Sequence, residues 1–309
     1  MANNGNVHLL NKIALIVEAT EIPFEGNTER VLHEKLSEDF FLTAKKNSDT
    51  VSVYRIIYLS NKKKIAGFIV EPKNSTGKLP CIIYNRGGSR DFGAIKLGNL
   101  FGSIAEFAKR GYVVIASNYA GSPGSDGVDD FGGKTLADIL NLYKILKQYP
   151  PADITRIGMY GWSRGAAMTH MCLAKARWIK AAVVGAGPTD EVSAPRFRKG
   201  WREHQISLYG KSRAEQIKRS ALYWPEKFSK KTPILIIHGT ADWRVNPLDS
   251  IKLAEKLYEQ KVPFRLVMFE GADHSVSEYK SEVKRLTYDW FERFVKNKEK
   301  LPNLKPHGK

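Results

Sequence analysis

From about Val51 onward, short runs rich in Val, Ile, Tyr and Phe alternate with longer stretches whose apolar residues recur every three or four positions. This alternation constrains the fold more than any other feature. Strand, helix, strand in repeated order builds a mainly parallel sheet, because parallel neighbours need a crossover long enough to hold a helix. The pattern predicts eight strands, at 51–59, 64–70, 81–84, 112–116, 156–159, 181–184, 234–238 and 265–269. It predicts helices near 98–109, 136–148, 165–176, 248–260 and 277–296; in the second, Leu136, Ile139, Leu140, Tyr143 and Leu146 lay out one apolar face. Only 60–63 joins the first two strands, so they are expected to form an antiparallel hairpin leading into the parallel part. The expectation is an α/β fold with an eight-stranded sheet and helices on both faces.

Two stretches escape the alternation. In residues 1–50, Leu9, Leu10, Ile13, Ile16 and Val17 have helical spacing, and Asn27 with Glu29 in the following turn reads as a second helix start, so a helical N-terminal extension is expected. Residues 186–232 are too long for a simple connection and read as a cap-like helical insertion over the site, within a domain covering 51–309.

Charge suggests a different class of function. Lys plus Arg number 49 against 32 Asp plus Glu, a formal net charge of +17, which is the electrostatic footprint of a polyanion binder. The densest basic run, 194–220, carries Arg196, Arg198, Lys199, Arg202, Lys211, Arg213, Lys218 and Arg219, with Trp201 and Tyr209 between them. No nucleic-acid-binding motif accompanies it, so these charges, like the C-terminal lysines through Lys309, are read as solvated surface; a non-catalytic polyanion-binding scaffold is the rival class. No apolar run approaches the ~18 residues of a spanning helix, which speaks against a membrane partner. Two cysteines, Cys81 and Cys172, cannot build a disulfide framework and point to a reducing compartment, hence the cytoplasm.

After the predicted strand 156–159 comes Gly161-Trp162-Ser163-Arg164-Gly165, followed by a helix-compatible stretch. A sharp strand-to-helix turn of this kind presents a serine hydroxyl to solvent, and the flanking glycines avoid collisions with neighbouring strand and helix. Serine becomes nucleophilic at neutral pH only when a histidine takes its proton and an acid holds that histidine's tautomer. In the α/β-hydrolase order the acid and then the histidine follow later strands. Asp242 follows strand 234–238 and His274 follows strand 265–269. Asp190 and Asp273 are rivals for the acid, set aside on position. His8, His33, His170, His204, His238 and His307 are read as structural.

The tetrahedral intermediate needs about two N–H donors, one from the residue after the nucleophile and one from the loop after the third strand. These are Arg164 and, in Tyr84-Asn85-Arg86-Gly87-Gly88, Arg86 or Gly87. Gly132-Gly133-Lys134-Thr135 does not complete a phosphate-binding loop, because Val128 stands where the first glycine belongs. No Cys or His spacing suggests a zinc site, so neither metal nor cofactor is expected.

Together, the hairpin ending Ile69-Val70-Glu71-Pro72, the Arg86-Gly87-Gly88 turn, Asn118 to Gly124, the Ser163 elbow, Thr232 to Gly239 with Asp242 and Val245, and the final His274 resemble the prolyl oligopeptidase family of serine peptidases. The resemblance runs from about 51 to 295 and implies the α/β-hydrolase catalytic domain of that family. It implies a serine hydrolase that cleaves amide bonds of small peptides through an acyl-enzyme; related hydrolases act as carboxylesterases or lactonases on small esters. Arg86 stands where family members commonly carry Tyr or His, and the residues before Val51 are too few for the N-terminal β-propeller of many members. Access is then expected to be governed by the insertion or by a neighbouring subunit of a homo-oligomer. Trp162, Arg86 and Arg164 are the expected substrate contacts, the two guanidiniums and the basic insertion favouring a substrate that bears a carboxylate.

Overall fold

The computed structural model describes residues 5–308; residues 1–4 of the extension and Lys309 of the basic tail lie outside the described residues. The chain forms two compact units, one comprising the residues up to Asp129 with Ala137–Thr155, the other Asp130–Leu136 with the residues from Arg156 onward.

The first unit contains β1 (Ile16–Glu21), α1 (Asn27–Lys35), α2 (Glu38–Ser48), β2 (Val51–Ser60), β3 (Lys63–Pro72), β4 (Leu79–Asn85), β5 (Val113–Ser117) and the body of α3 (Leu136–Gln148). Its strand order is β1-β2-β3-β5-β4, with β4 and β5 parallel and the rest antiparallel. The β2–β3 hairpin pairs from Val51↔Pro72 to Ser60↔Lys63 and turns on Asn61 and Lys62, both with positive φ (50° and 63°). Two successive positive φ values match the right-handed strand twist that a two-residue hairpin requires. Apolar side chains such as Ile56, Ile65, Ile69, Ile82, Ile83 and Ile115 are fully buried and form this unit's core.

Two sequence expectations change here. The extension is not wholly helical: the run around Ile16 forms β1, an antiparallel edge strand on β2, and its helix shrinks to Val7–Leu10. The described residues therefore hold nine strands rather than eight. Apolar residues at 13, 16 and 17 fit helical spacing in a short window, but the open edge of β2 offers unpaired N–H and C=O groups that a strand satisfies. The helix expected over 98–109 is interrupted at Gly102, whose φ of −100° and ψ of −107° are not helical.

The second unit contains β6 (Ala152–Trp162, from Arg156), α4 (Arg164–Lys175), β7 (Ile179–Gly185), α5 (Trp201–Tyr209), β8 (Ile234–Gly239), α6 (Pro247–Glu259), β9 (Phe264–Phe269) and α7 (Lys280–Phe291). Strands β6, β7, β8 and β9 follow in that order, all parallel. Every residue of β8 is buried, as its unbroken Ile-Leu-Ile-Ile run requires of an interior parallel strand. The registers Trp162↔Gly185, Gly185↔Ile237 and Gly239↔Phe269 bring the carboxyl ends of these strands to one edge, where the loops carrying Ser163, Asp242 and His274 emerge.

The 186–232 insertion carries three short helices, Ala194–Phe197, α5 and Arg213–Lys218. Buried Glu191 ties it down: its Oε2 accepts from Trp201 Nε1 at 2.9 Å, Gln205 Nε2 at 2.8 Å and Tyr209 OH at 2.9 Å. Leu208 of α5 packs with Phe131 and with Ala167 of α4, so the insertion rests on the helix that follows Ser163. The basic run is not uniformly solvated: Arg219 is 3% exposed, pairs with Glu215 and donates through Nε to Phe131 O. No helix among the described residues is long and apolar enough to cross a membrane.

Candidate active site

Ser163 caps the start of α4 with φ 56° and ψ −124°, a conformation that L residues rarely adopt. Such backbone costs about 1–3 kcal/mol and persists only where its surroundings enforce it. Here the Ser163 N–H donates to Gly185 O at 2.8 Å, and the Ser163 carbonyl accepts from Ala166 N at 2.9 Å. The turn is so tight that a Cβ on Gly161 would stand 2.1 Å from Gly165 O. Only glycine fits at that position.

His274 Nε2 lies 2.9 Å from Ser163 Oγ, and His274 Nδ1 lies 2.7 Å from Asp242 Oδ2. An ionised carboxylate only accepts, so Nδ1 is the protonated nitrogen of neutral His274 and Nε2 presents its lone pair to the serine hydroxyl. Asp242 accepts more. Its Oδ1 takes the N–H groups of Arg244 (2.7 Å) and Val245 (3.0 Å), and its Oδ2 also takes His238 Nε2 at 2.9 Å. His238 is fully buried, and its Nδ1 sits 2.7 Å from Ser250 Oγ on α6. Burial alone would raise the pKa of Asp242, but hydrogen bonds from His238 and His274, the charge of His274 and the Val245 N–H outweigh it and hold the carboxyl well below the usual range.

His238, read from sequence as structural, is thus a direct partner of Asp242. The signal available was its place at the end of β8, four residues before the acid across a glycine turn. The rivals for the acid hold turns instead: Asp190 Oδ1 accepts from Val192 N and Ser193 N, and Asp273 Oδ1 accepts from Ser275 N. His170, on α4 behind the serine, has no hydrogen-bond partner on either ring nitrogen among the described residues.

The three expected substrate-contacting side chains are engaged with the protein. Trp162 Nε1 donates to His274 O at 2.9 Å, and its ring lies across Gly185, where a Cβ would stand 2.0 Å from Trp162 Cε3. The Arg164 side chain is 2% exposed, with its guanidinium 4.9 Å from the Phe131 ring centroid. The Arg164 N–H stands in the first turn of α4, directly after Ser163. In the first unit, Arg86 is also 2% exposed: it donates to the carbonyls of Gly87 (3.0 Å), Arg90 (3.0 Å), Phe92 (3.2 Å) and Asn118 (2.8 Å), and to Ser122 Oγ. The Arg86 guanidinium is committed to these acceptors and that of Arg164 is buried against Phe131, whereas the expectation was that both project toward a substrate carboxylate.

A serine, histidine and aspartate joined in line at the carboxyl ends of parallel strands are the hallmark of the α/β-hydrolases. The profile of the prolyl oligopeptidase family matches residues 100–298, and the chain belongs to that family. It is a serine hydrolase. It is 29% identical over 235 residues to the uncharacterized peptidase YtmA of Bacillus subtilis, covering 74% of this chain and 88% of that protein. It is 24% identical over 242 residues to dipeptidyl-peptidase 5 of Porphyromonas gingivalis, covering 71% of this chain and 34% of the relative. Among solved structures, the acylaminoacyl peptidase of Pyrococcus horikoshii matches with a TM-score of 0.71 at 22% identity, over 90% of this chain and 45% of that one. At that identity the likeness is one of fold. The chain spans most of YtmA but less than half of these two larger proteins.

Proposed function

We propose that Ser163 is the nucleophile, His274 the general base and Asp242 the orienting acid of a peptidase that cleaves amide bonds of small peptides through an acyl-enzyme. The observation that carries this reading is the 2.9 Å contact between His274 Nε2 and Ser163 Oγ, on a histidine whose other nitrogen is fixed by Asp242. As Oγ attacks the carbonyl carbon, its proton passes to Nε2; the imidazolium then protonates the leaving amine as the C–N bond breaks. Water repeats the sequence and releases the acid. The Arg164 N–H supplies one donor to the oxyanion, and the sequence assigns the second to Arg86 or Gly87. Peptidase relatives support amide over ester cleavage, and the buried Cys81 and Cys172, not joined in a disulfide, support a cytoplasmic setting.

The test compares kcat/KM on peptide anilides, aryl esters of graded chain length and lactones, with Ser163→Ala as the blank. The anilides are expected to turn over, and the blank to lose at least about three powers of ten. Ester or lactone turnover with no anilide cleavage would replace the peptidase by an esterase, and near-normal hydrolysis by Ser163→Ala would remove the triad.

A further inference from the structure

Arg198 follows the short helix Ala194–Phe197 in the insertion and is half-buried. Its guanidinium carbon lies 4.7 Å from the centroid of the Trp201 ring and 6.0 Å from that of Trp243. Each indole ties it to the active site. Trp243 is 61% exposed and directly follows Asp242. Trp201 is fastened through Nε1 to Glu191 and packs edge-on against Phe131 at 6.2 Å, the ring that carries the guanidinium of Arg164, next to Ser163.

Among the described residues, the Arg198 guanidinium has no hydrogen bond and no ion pair; its partners are rings and more distant charges. The two carboxylates that attract it are already engaged, Asp242 by four donors and Glu191 through Oε2 by three. Burial and the neighbouring Arg244 charge weaken its hold on its proton, whereas Asp242 and Glu191 strengthen it, with a net lowering. A planar guanidinium flanked by indoles offers its N–H edge, and two parallel N–H groups on that edge match a carboxylate. Indole faces also reduce the side-chain freedom lost when a ligand binds.

We propose that Arg198 forms a carboxylate-binding subsite beside the triad and that the enzyme prefers peptides carrying a carboxylate next to the scissile bond. This rests on Ser163 as the nucleophile. The carboxylate has two sources, an acidic side chain at the acyl position or the free C-terminus of a short peptide. Both present the same planar, two-oxygen group.

The experiment uses the full chain and two matched substrate pairs: acetyl-dipeptide anilides ending in Glu or Gln, and tripeptides with a free or an amidated C-terminus. Fluorophosphonate labelling counts active serines in every variant. The wild type is expected to favour the carboxylate member of at least one pair by about tenfold or more in kcat/KM, the preferred pair identifying the source. Arg198→Met should abolish that preference while labelling and turnover of the neutral member stay within about threefold, Arg198→Glu should reverse it, and Arg198→Lys should keep only part of it. Labelled wild type with equal rates within both pairs, or with no turnover of any of the four peptides, would overturn the proposal; so would a preference that survives in Arg198→Met. Absence of labelling would instead fell the triad reading, and this inference with it.

Discussion

Asp242, on the loop after β8, and Asp249, in the first turn of α6, are each 3% exposed, yet their surroundings drive them in opposite directions. Asp242 stands where loop N–H groups and two imidazoles converge, and these donors keep it ionised. Around Asp249 burial dominates; the Thr189 N–H is 3.4 Å away, Asp190 repels, and the carboxyl is pushed up to about 6. The histidines divide in the same way. His238 and His274 have a polar partner at each ring nitrogen, whereas His170 inside α4 has none and burial pushes it down to about 4. Loops at strand ends can turn their amides toward a buried charge, while a helix interior has already committed its backbone groups to itself. Burial alone therefore does not mark a functional group.

This contrast can be broken at four places. The largest effect is expected from Asp242→Asn, which leaves His274 without the acceptor that sets its tautomer; kcat should fall by about 10⁴, read by steady-state hydrolysis, while fluorophosphonate labelling slows in parallel. Next is His238→Phe. With the His238 donor removed, Asp242 Oδ2 serves His274 alone and stabilises its imidazolium more. The acid limb of kcat/KM against pH should move to higher pH, with turnover at neutral pH down about tenfold. His238→Gln, which retains an N–H, should restore most of it; an unmoved limb in His238→Phe would make this residue a packing element only.

The remaining two concern stability. Folded His170 holds its proton less well than the unfolded chain, so the folded state binds fewer protons between about pH 6.5 and 4 and loses stability as pH falls through that window. His170→Leu should flatten the loss, worth about 3 kcal/mol at pH 4, and change little at pH 8. Asp249 has the opposite sign. Its raised value makes the folded state bind more protons between about pH 4 and 6, so stability falls as pH rises across that range. Asp249→Asn should gain about 2 kcal/mol above pH 6 and nothing near pH 4, measured by urea unfolding at each pH.

Eight strands and the line of Ser163, Asp242 and His274 were legible because each rests on local pattern: an apolar run, a glycine-flanked turn, a polar residue just past a strand end. What escaped depends on distant partners. β1 is a strand because β2 leaves an edge beside it, which helical spacing in its own short window could not reveal. Arg86 looked available because six backbone and hydroxyl acceptors converge on it only after the loops at 86–92 and 118–122 fold together. A histidine at the end of an apolar strand gives no sign of where its ring points, so His238 was indistinguishable from His170 until the turn after β8 was drawn.

The indole bond from Trp162 to the His274 carbonyl has a mechanical consequence. The residue rooted beside the nucleophile grips the very strap that delivers the base, so prising that strap outward drags on a side chain anchored at the opposite end of the proton relay. Loosening at one end is felt at the other, and with the other five tryptophans replaced the emission of Trp162 would gauge whether the relay is assembled.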